Sequence, residues 1–306
     1  MRSHPGLLQK CFSFLLRMGL FAALAVPSAV AISRTQVVVV PVANMYSAPS
    51  DKSDVVSQAI YGSNVLLLVA RGEWSRIQTS DDHYKGWTRS RYLRLVQNGN
   101  GYATIGLVVQ VESLFANVYH EPDVTKHVPV ITVPFESRLE VTREGNGDRQ
   151  GWVHVRLPDQ KTAWIQSGDV VSDPKPLTIS GSIELAKRFL GLPYLWGGRS
   201  SFGFDCSGFT QMLVRARGVN MPRDADQQAA WKGVVPVERK DLAPGDLLFF
   251  GPSPKKITHT GVYIGDGQFI QATTNGHPVV QIGRIDDDPW TRPLVACRRI
   301  RASSGP

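Results

Sequence analysis

Cysteine is scarce in this chain, with three in 306 residues. Small exported domains that lean on cross-links carry dense, even-numbered cysteine frameworks, so a disulfide scaffold is excluded. Long apolar runs are missing too: the N-terminal one, Met18 to Val26, falls short of the about 20 residues that span a bilayer. Charged residues make up only 20% against 42% hydrophobic, which excludes a wholly disordered chain. The first 31 residues hold no acid at all. Arg2, Lys10 and Arg17 precede the apolar run, and Pro27 and Ala29-Val30-Ala31 follow it. This is the layout of a secretory signal peptide, residues 1–31, cleaved after Ala31. Its removal takes away three basic residues, lowers the net charge from +8 to +5 and leaves two cysteines, Cys206 and Cys297.

Turn residues are plentiful, with 28 Gly and 20 Pro, and favour short strands over a helical bundle. From Thr35 to Val171 the chain reads as short alternating strands. Within it, Ala43-Asn44-Met45-Tyr46 and Pro49 recur as Ala116-Asn117-Val118-Tyr119 and Pro122, and Trp74 and Trp87 recur as Trp152 and Trp164. Landmarks in the same order mark two copies of one β unit, residues 35–97 and 103–172, joined by the polar stretch 97–101. Each copy has room for a five-stranded barrel around one Trp-containing core. After Pro176 the character changes. Ile183, Ala186 and Leu190 suggest one helix, and Phe209, Met212, Leu213 and Ala216 mark an amphipathic one that stops at Gly218. Segments 246–250, 260–264 and 268–272 then read as strands, so residues 177–302 form an α+β domain.

Asp205-Cys206-Ser207-Gly208 stands at the N-terminal edge of the second helix. Unpaired N–H groups there lower a thiol pKa and can hold an oxyanion. A thiol nucleophile also needs a base. Of seven histidines, His259 opens a strand that turns through Gly265-Asp266-Gly267 and returns from Gln268. Pairing Ile264 with Gln268 makes Gln271 the diagonal neighbour of His259. Its amide oxygen is then expected to accept the Nδ1–H and turn the other ring nitrogen to the thiol. His277 sits between Gly276 and Pro278, in a loop. Cys297, in the apolar run Leu294-Val295-Ala296-Cys297, reads as a buried core thiol and not as a partner of Cys206.

Several motifs together carry a family resemblance. They are Pro193-Tyr194-x-Trp196-Gly197-Gly198, Phe204-Asp205-Cys206-Ser207-Gly208-Phe209, Pro222-Arg223, Leu242-x-Pro244-Gly245-Asp246-Leu247 and His259-x-Gly261-Val262-Tyr263-Ile264-Gly265. Their order resembles the NlpC family of papain-like cell-wall cysteine peptidases, and residues 35–172 resemble bacterial SH3-like domains. The resemblance implies an α+β fold, a papain-like catalytic domain preceded by two small all-β barrels. It also implies Cys206 as nucleophile, His259 as base and Gln271 where the family commonly has His. The arrangement is similar to exported γ-D-glutamyl-L-diamino acid endopeptidases, in which the first SH3-like domain helps close the cleft. On that likeness Tyr84, Asp54, Tyr194, Asp205 and Ser207 hold the free L-Ala end of the substrate. Arg223 meets a substrate carboxylate, or pairs with Asp224 or Asp226. No metal or other cofactor is expected. The expected partners are peptidoglycan peptides or muropeptides and not nucleic acid, with the chain monomeric, periplasmic or extracellular, and free of a membrane span after cleavage. Two alternatives stay open: a wall-binding protein with a degenerate catalytic domain, and an amidase or acyltransferase using the same Cys–His pair.

Overall fold

The computed structural model describes residues 35–96, 100–142 and 151–301. The expected leader, residues 1–31, lies outside them. The first β module contains β1 (Thr35–Val38), β2 (Val42–Tyr46), β3 (Val55–Ile60), β4 (Asn64–Arg71), β5 (Trp74–Thr79), β6 (Lys85–Arg89) and β7 (Leu93–Leu95). The second contains β8 (Val108–Val111), β9 (Phe115–Tyr119), β10 (Ile131–Pro134), β11 (Arg138–Val141), β12 (Trp152–Arg156), β13 (Thr162–Gln166) and β14 (Val170–Ser172). The strand orders are β3-β2-β6-β5-β4-β1-β7 and β10-β9-β13-β12-β11-β8-β14, the same permutation seven strands apart. Seven short strands stand where five were expected, because the chain ends of each copy add a strand to the ladder.

Of the repeated tryptophans, Trp74 is buried and Trp152 is half-buried. Each module's core is mostly aliphatic: Val38, Ala43, Met45, Val65 and Ile77 in the first, Val111, Val118, Leu139, Val155 and Ile165 in the second. Trp74 stands edge-on to Tyr46 at 5.4 Å, and Trp152 meets Tyr119 in the same way at 5.6 Å. The repeat extends to this aromatic pair.

The third part opens with α1 (Ile179–Arg188), capped by Thr178. Its inward face is Ser182, Leu185, Ala186 and then Phe189, whereas Leu190 is exposed. The helix begins at Ile179, before the expected Ile183, and ends at Arg188, so Leu190 lies beyond it. There follow β15 (Arg199–Ser200), β16 (Gly203–Phe204), α2 (Cys206–Ala216), α3 (Ala225–Ala230), β17 (Val234–Val237), β18 (Leu247–Phe250), β19 (His259–Gly265), β20 (Gln268–Thr273), β21 (Val279–Arg284) and β22 (Leu294–Ile300). The last six form one antiparallel sheet in the order β17-β22-β18-β19-β20-β21.

Alternation along β18 assigns its two faces. Leu247 and Phe249 join the core with Phe209, Met212 and Leu213 of α2. Leu248 and Phe250 join a second cluster with Tyr263, Phe269 and Cys297. Helix α2 is buried at every residue from Cys206 to Val214, not on one stripe. A helix covered all round is a central element, and here β modules cover the sides that the sheet leaves open.

Candidate active site

Helix α2 starts where Asp205 caps it, with Oδ1 accepting the Gly208 N–H at 2.7 Å. That places Cys206 at the first helical position. Gly208 has to be glycine, because a Cβ there would come within 2.1 Å of the Gly198 carbonyl oxygen. The Gly-rich segment thus lies directly on the first turn of α2, and the Asp205 N–H donates to Gly198 O at 3.1 Å.

Beneath this turn lies Arg223, only 2% exposed. Its guanidinium donates to Asp205 Oδ2 at 2.6 Å, Ser207 Oγ at 2.7 Å, Gly198 O at 3.4 Å and Ser57 Oγ of β3 at 3.3 Å. The expected pairing with Asp224 or Asp226 is replaced by one with Asp205. The reason is electrostatic: a buried carboxylate is tolerated only with a hydrogen-bonded cation beside it, and the cap carboxylate is the buried one. Asp205, Ser207 and Arg223 therefore bond one another and set the start of α2.

The thiol of Cys206 is buried and reduced. The main-chain N–H groups of Thr260 and Ser207 favour its thiolate, so it lies near the residue that follows His259. Burial, and then the Asp205 charge, push the thiol up to about 12. This reverses the lowering expected of a helix N-terminus: desolvation of a thiolate outweighs the helix field when the sulfur is enclosed. His259 moves the other way. Burial brings its imidazole down to about 4, against the opposing effects of Gln271 and Asp205.

Gln271, 1% exposed, bonds the ring at 2.5 Å through Oε1 and Nε2, not through Nδ1 as expected. The pairs Val262–Ile270 and Tyr263–Phe269 keep the expected register, but a bulge replaces Ile264–Gln268 with Gly265–Gln268. A diagonal neighbour lies several ångströms away along the strands, so the outer ring nitrogen is the one that reaches it. An amide oxygen only accepts, so Nε2 carries the proton and Nδ1 keeps its lone pair.

The remaining expected residues lie around this pair. Burial raises the Tyr194 hydroxyl, as do the nearby Cys206 and Asp205. From the first β module, Tyr84 donates to the Asp224 carboxylate at 3.2 Å. Asp54 is exposed beside Val55, whose carbonyl oxygen packs so tightly on Gly197 that a Cβ there would meet it at 2.6 Å. Cys297 is a free thiol in the apolar cluster behind the sheet.

Two groups of residues escaped the sequence reading. The first is Ser57, Gln58, Asp81 and Asp82, which the first module extends into the third part. Arg199 pairs with Asp81 and Gln211 donates to Asp82 at 3.0 Å. Its one signal was the longer β5–β6 loop of the first copy. The second is Trp290, stacked on the His259 ring at 5.1 Å with 26° between planes; it sits in a turn-rich stretch without periodicity. A cavity of about 710 Å³ lies at the junction of the three parts and is lined by residues such as Tyr61, Tyr102, Phe135, Arg199 and Arg215. It includes neither Cys206 nor His259, so geometry rather than size singles out the site.

Comparison with known families matches residues 191–299 to the NlpC/P60 family. A curated relative from Bacillus subtilis, γ-D-glutamyl-L-lysine dipeptidyl-peptidase, is 31% identical across 80% of this chain and 81% of its own length. The chain belongs to the NlpC/P60 family. Members of this cysteine-peptidase family share its α+β fold. A Bacillus cereus relative with the same enzyme name is 30% identical across 71% of this chain and 66% of its own length. The crystal structure of an NlpC/P60 family protein from Bacillus cereus superposes with a TM-score of 0.75 at 25% identity, covering 87% of this chain and 99% of that one. Residues 45–93 match the bacterial dipeptidyl-peptidase Sh3 domain and residues 97–171 the GW (Gly-Tryp) dipeptide domain. No helix among the described residues is long and apolar enough to cross a membrane.

Proposed function

We propose that this NlpC/P60 protein is an exported cysteine endopeptidase of peptidoglycan peptides, acting as a single chain. Its proposed target is the bond between γ-D-Glu and an L-diamino acid when L-Ala carries a free N-terminus. The observation that carries the mechanism is the Nε2–Gln271 hydrogen bond, which leaves Nδ1 unprotonated on the residue next to Thr260, whose main-chain N–H favours the Cys206 thiolate. The substrate assignment is supported by the curated relatives and by the match of the first β module.

The resting pair is a neutral thiol and a neutral imidazole, given the directions of their pKa values. Proton transfer from Sγ to Nδ1 accompanies attack of Sγ on the γ-D-Glu carbonyl carbon. Main-chain N–H groups at the start of α2 hold the resulting oxyanion. The imidazolium returns its proton to the diamino acid nitrogen, the C–N bond breaks and a thioester remains. His259 then takes a proton from water, which attacks the thioester carbonyl, and collapse restores the thiol and releases the dipeptide acid. Gln271 holds the ring in one tautomer throughout. The Asn of papain-like triads is likewise a neutral amide with this task, so Gln271 is no sign of a decayed site.

The test is Cys206→Ala in the purified chain, assayed on L-Ala-γ-D-Glu-diaminopimelate and its lysine analogue by product analysis. Loss of at least about 10³-fold in kcat/KM is expected for removal of a covalent nucleophile. Undiminished release of the diamino acid by the variant would sink the mechanism.

A further inference from the structure

We propose that Trp290 is a positioning residue for the reaction, keeping the His259 ring in one orientation and its hydrogen bond to Gln271 away from water. The inference rests on the reading of His259 as base. It stands on geometry first. The indole lies over the imidazole at 5.1 Å and 26°, the one stacked pair among the ring contacts of the described residues. Behind it, Trp290 is edge-on to Phe250 at 5.3 Å and to Phe269 at 5.5 Å. Phe250 in turn lies 5.6 Å from the imidazole and is its partner across β18 and β19. Two aromatic side chains therefore wall the ring, and among the described residues Gln271 is its hydrogen-bond partner across the sheet.

The backbone that carries Trp290 is held as well. The Trp290 main-chain N–H donates to Asp287 O at 2.8 Å, and Pro293 O beyond it accepts from the Gly251 N–H, next to Phe250. The turn between β21 and β22 is thus tied to the end of β18, which keeps Trp290 beside the ring. Around His259 the groups on each packed element are the Asp205 carboxylate at the start of α2, the neutral Gln271 from β20, Phe250 from β18 and Trp290 from the turn. Asp205 favours the imidazolium, so the walls that exclude water are what hold the ring neutral.

Two consequences separate this role from that of a mere strut. Opening the wall admits water, which hydrates the imidazolium and raises the pH at which the base is lost. It also lets water compete for the Gln271 amide, so the ring loses its fixed tautomer and kcat falls with little change in KM.

The experiment measures kcat/KM from pH 4 to 8 for the full chain and for Trp290→Ala, Trp290→Leu and Trp290→Phe. In parallel, the His259 ring is titrated by NMR in a Cys206→Ala background, with and without each Trp290 substitution. The parent is expected to lose activity only near pH 4. Trp290→Ala is expected to lose it near pH 5.5–6, seen as about a five- to tenfold drop at pH 5 relative to pH 7.5, and Trp290→Phe is expected to restore the parent profile. The NMR midpoint moves with the kinetic one. An unchanged acid limb and NMR midpoint in Trp290→Ala, or in Trp290→Leu where the alanine variant does not fold, overturns the proposal. So does an activity loss uniform across pH. Full activity of His259→Ala instead overturns the reading of the base, while the NMR titration still reports on Trp290.

Discussion

In the first β module Asn44 and Gln58 face each other across β2 and β3, with Gln58 Nε2 donating to Asn44 Oδ1 at 3.0 Å. In the second the same position holds Asn117 and Thr132, with the Thr132 hydroxyl donating at 2.6 Å. Internally the pairs are equivalent. Externally they are not: Gln58 Oε1 also accepts from the Arg199 N–H at 2.9 Å and the Ser200 hydroxyl at 3.2 Å, a reach that threonine lacks. The hairpin between β5 and β6 closes from Thr79 to Tyr84, whereas its copy closes from Leu157 to Lys161, one residue shorter. The longer loop brings Asp81 to Arg199 and Asp82 to Gln211, and its last residue Tyr84 reaches Asp224. The copied loop ends in Lys161, which pairs with Asp159 of its own module. One scaffold thus grips two ends of α2. The first copy holds the start, where the thiol stands. The second reaches the far end through Glu136 and Arg215, 2.5 Å apart, which Asp81 of the first copy also approaches at 3.9 Å, and it packs Phe135 on Phe189 at the end of α1. Core positions set the scaffold, and a handful of loop and edge residues decide what it braces.

The largest expected effect contrasts the two guanidinium groups. Arg223→Ala leaves the Asp205 carboxylate buried and unpaired, a change that costs about 3–5 kcal/mol, and frees the first turn of α2. Stability and kcat/KM are both expected to fall, the latter by at least about 100-fold through misplacement of the nucleophile. Arg223→Lys keeps the charge but loses the fork, so it is expected to fall between. Arg215→Ala breaks the grip on the far end at about 1–3 kcal/mol, with kcat/KM per folded molecule within about threefold of the parent. Urea melts and active-site titration check both. Equal activity losses in the two variants would break the contrast between the ends of α2.

A smaller effect comes from giving one copy the other's residue. Gln58→Thr leaves the buried Arg199 N–H without its acceptor and is expected to cost about 1–3 kcal/mol. The reciprocal Thr132→Gln, at a half-buried position without a partner domain to meet, is expected to stay within about 0.5 kcal/mol. Equal costs in the two exchanges would mean that Gln58 matters only inside its own barrel.

Much of this was legible in the sequence because it is periodic or repeated. The two copies, the thiol at a helix start and the His259–Gln271 register follow from spacing, which the backbone obeys with a period of two or 3.6. What was not legible depends on side chains meeting across parts of the chain that no period links. Sequence offers Arg223 a substrate carboxylate or the adjacent Asp224 and Asp226, because its partner, Asp205, is eighteen residues away and already has a role as cap. The state of the thiol was misjudged for a related reason. A helix N-terminus is visible in sequence, but the enclosure that pushes Cys206 up is made by strands and loops far from it. Trp290 had no pattern at all, since a lone aromatic in a turn acquires meaning only from the ring beneath it.

The smallest effect also tests Tyr84, the residue on which the first copy's asymmetry and its expected role at the substrate meet. Its hydroxyl donates to Asp224 at 3.2 and 3.3 Å, long bonds worth about 1 kcal/mol. Burial raises the Asp224 pKa, and the Tyr84 hydrogen bond works against that rise. A carboxylate raised in the folded state contributes most below its unfolded pKa and loses that contribution as pH climbs through its folded one. The hydroxyl offsets the loss, so Tyr84→Phe is expected to destabilise more at pH 7 than at pH 3.5, where less of the carboxyl is ionised. Urea midpoints at the two pH values check the sign. KM measured at pH 7 divides the roles: a change below about threefold assigns the hydroxyl to the brace between the first module and the third part. A tenfold rise in KM with unchanged stability would place the hydroxyl on the substrate and remove it from the list of contacts that set the two copies apart.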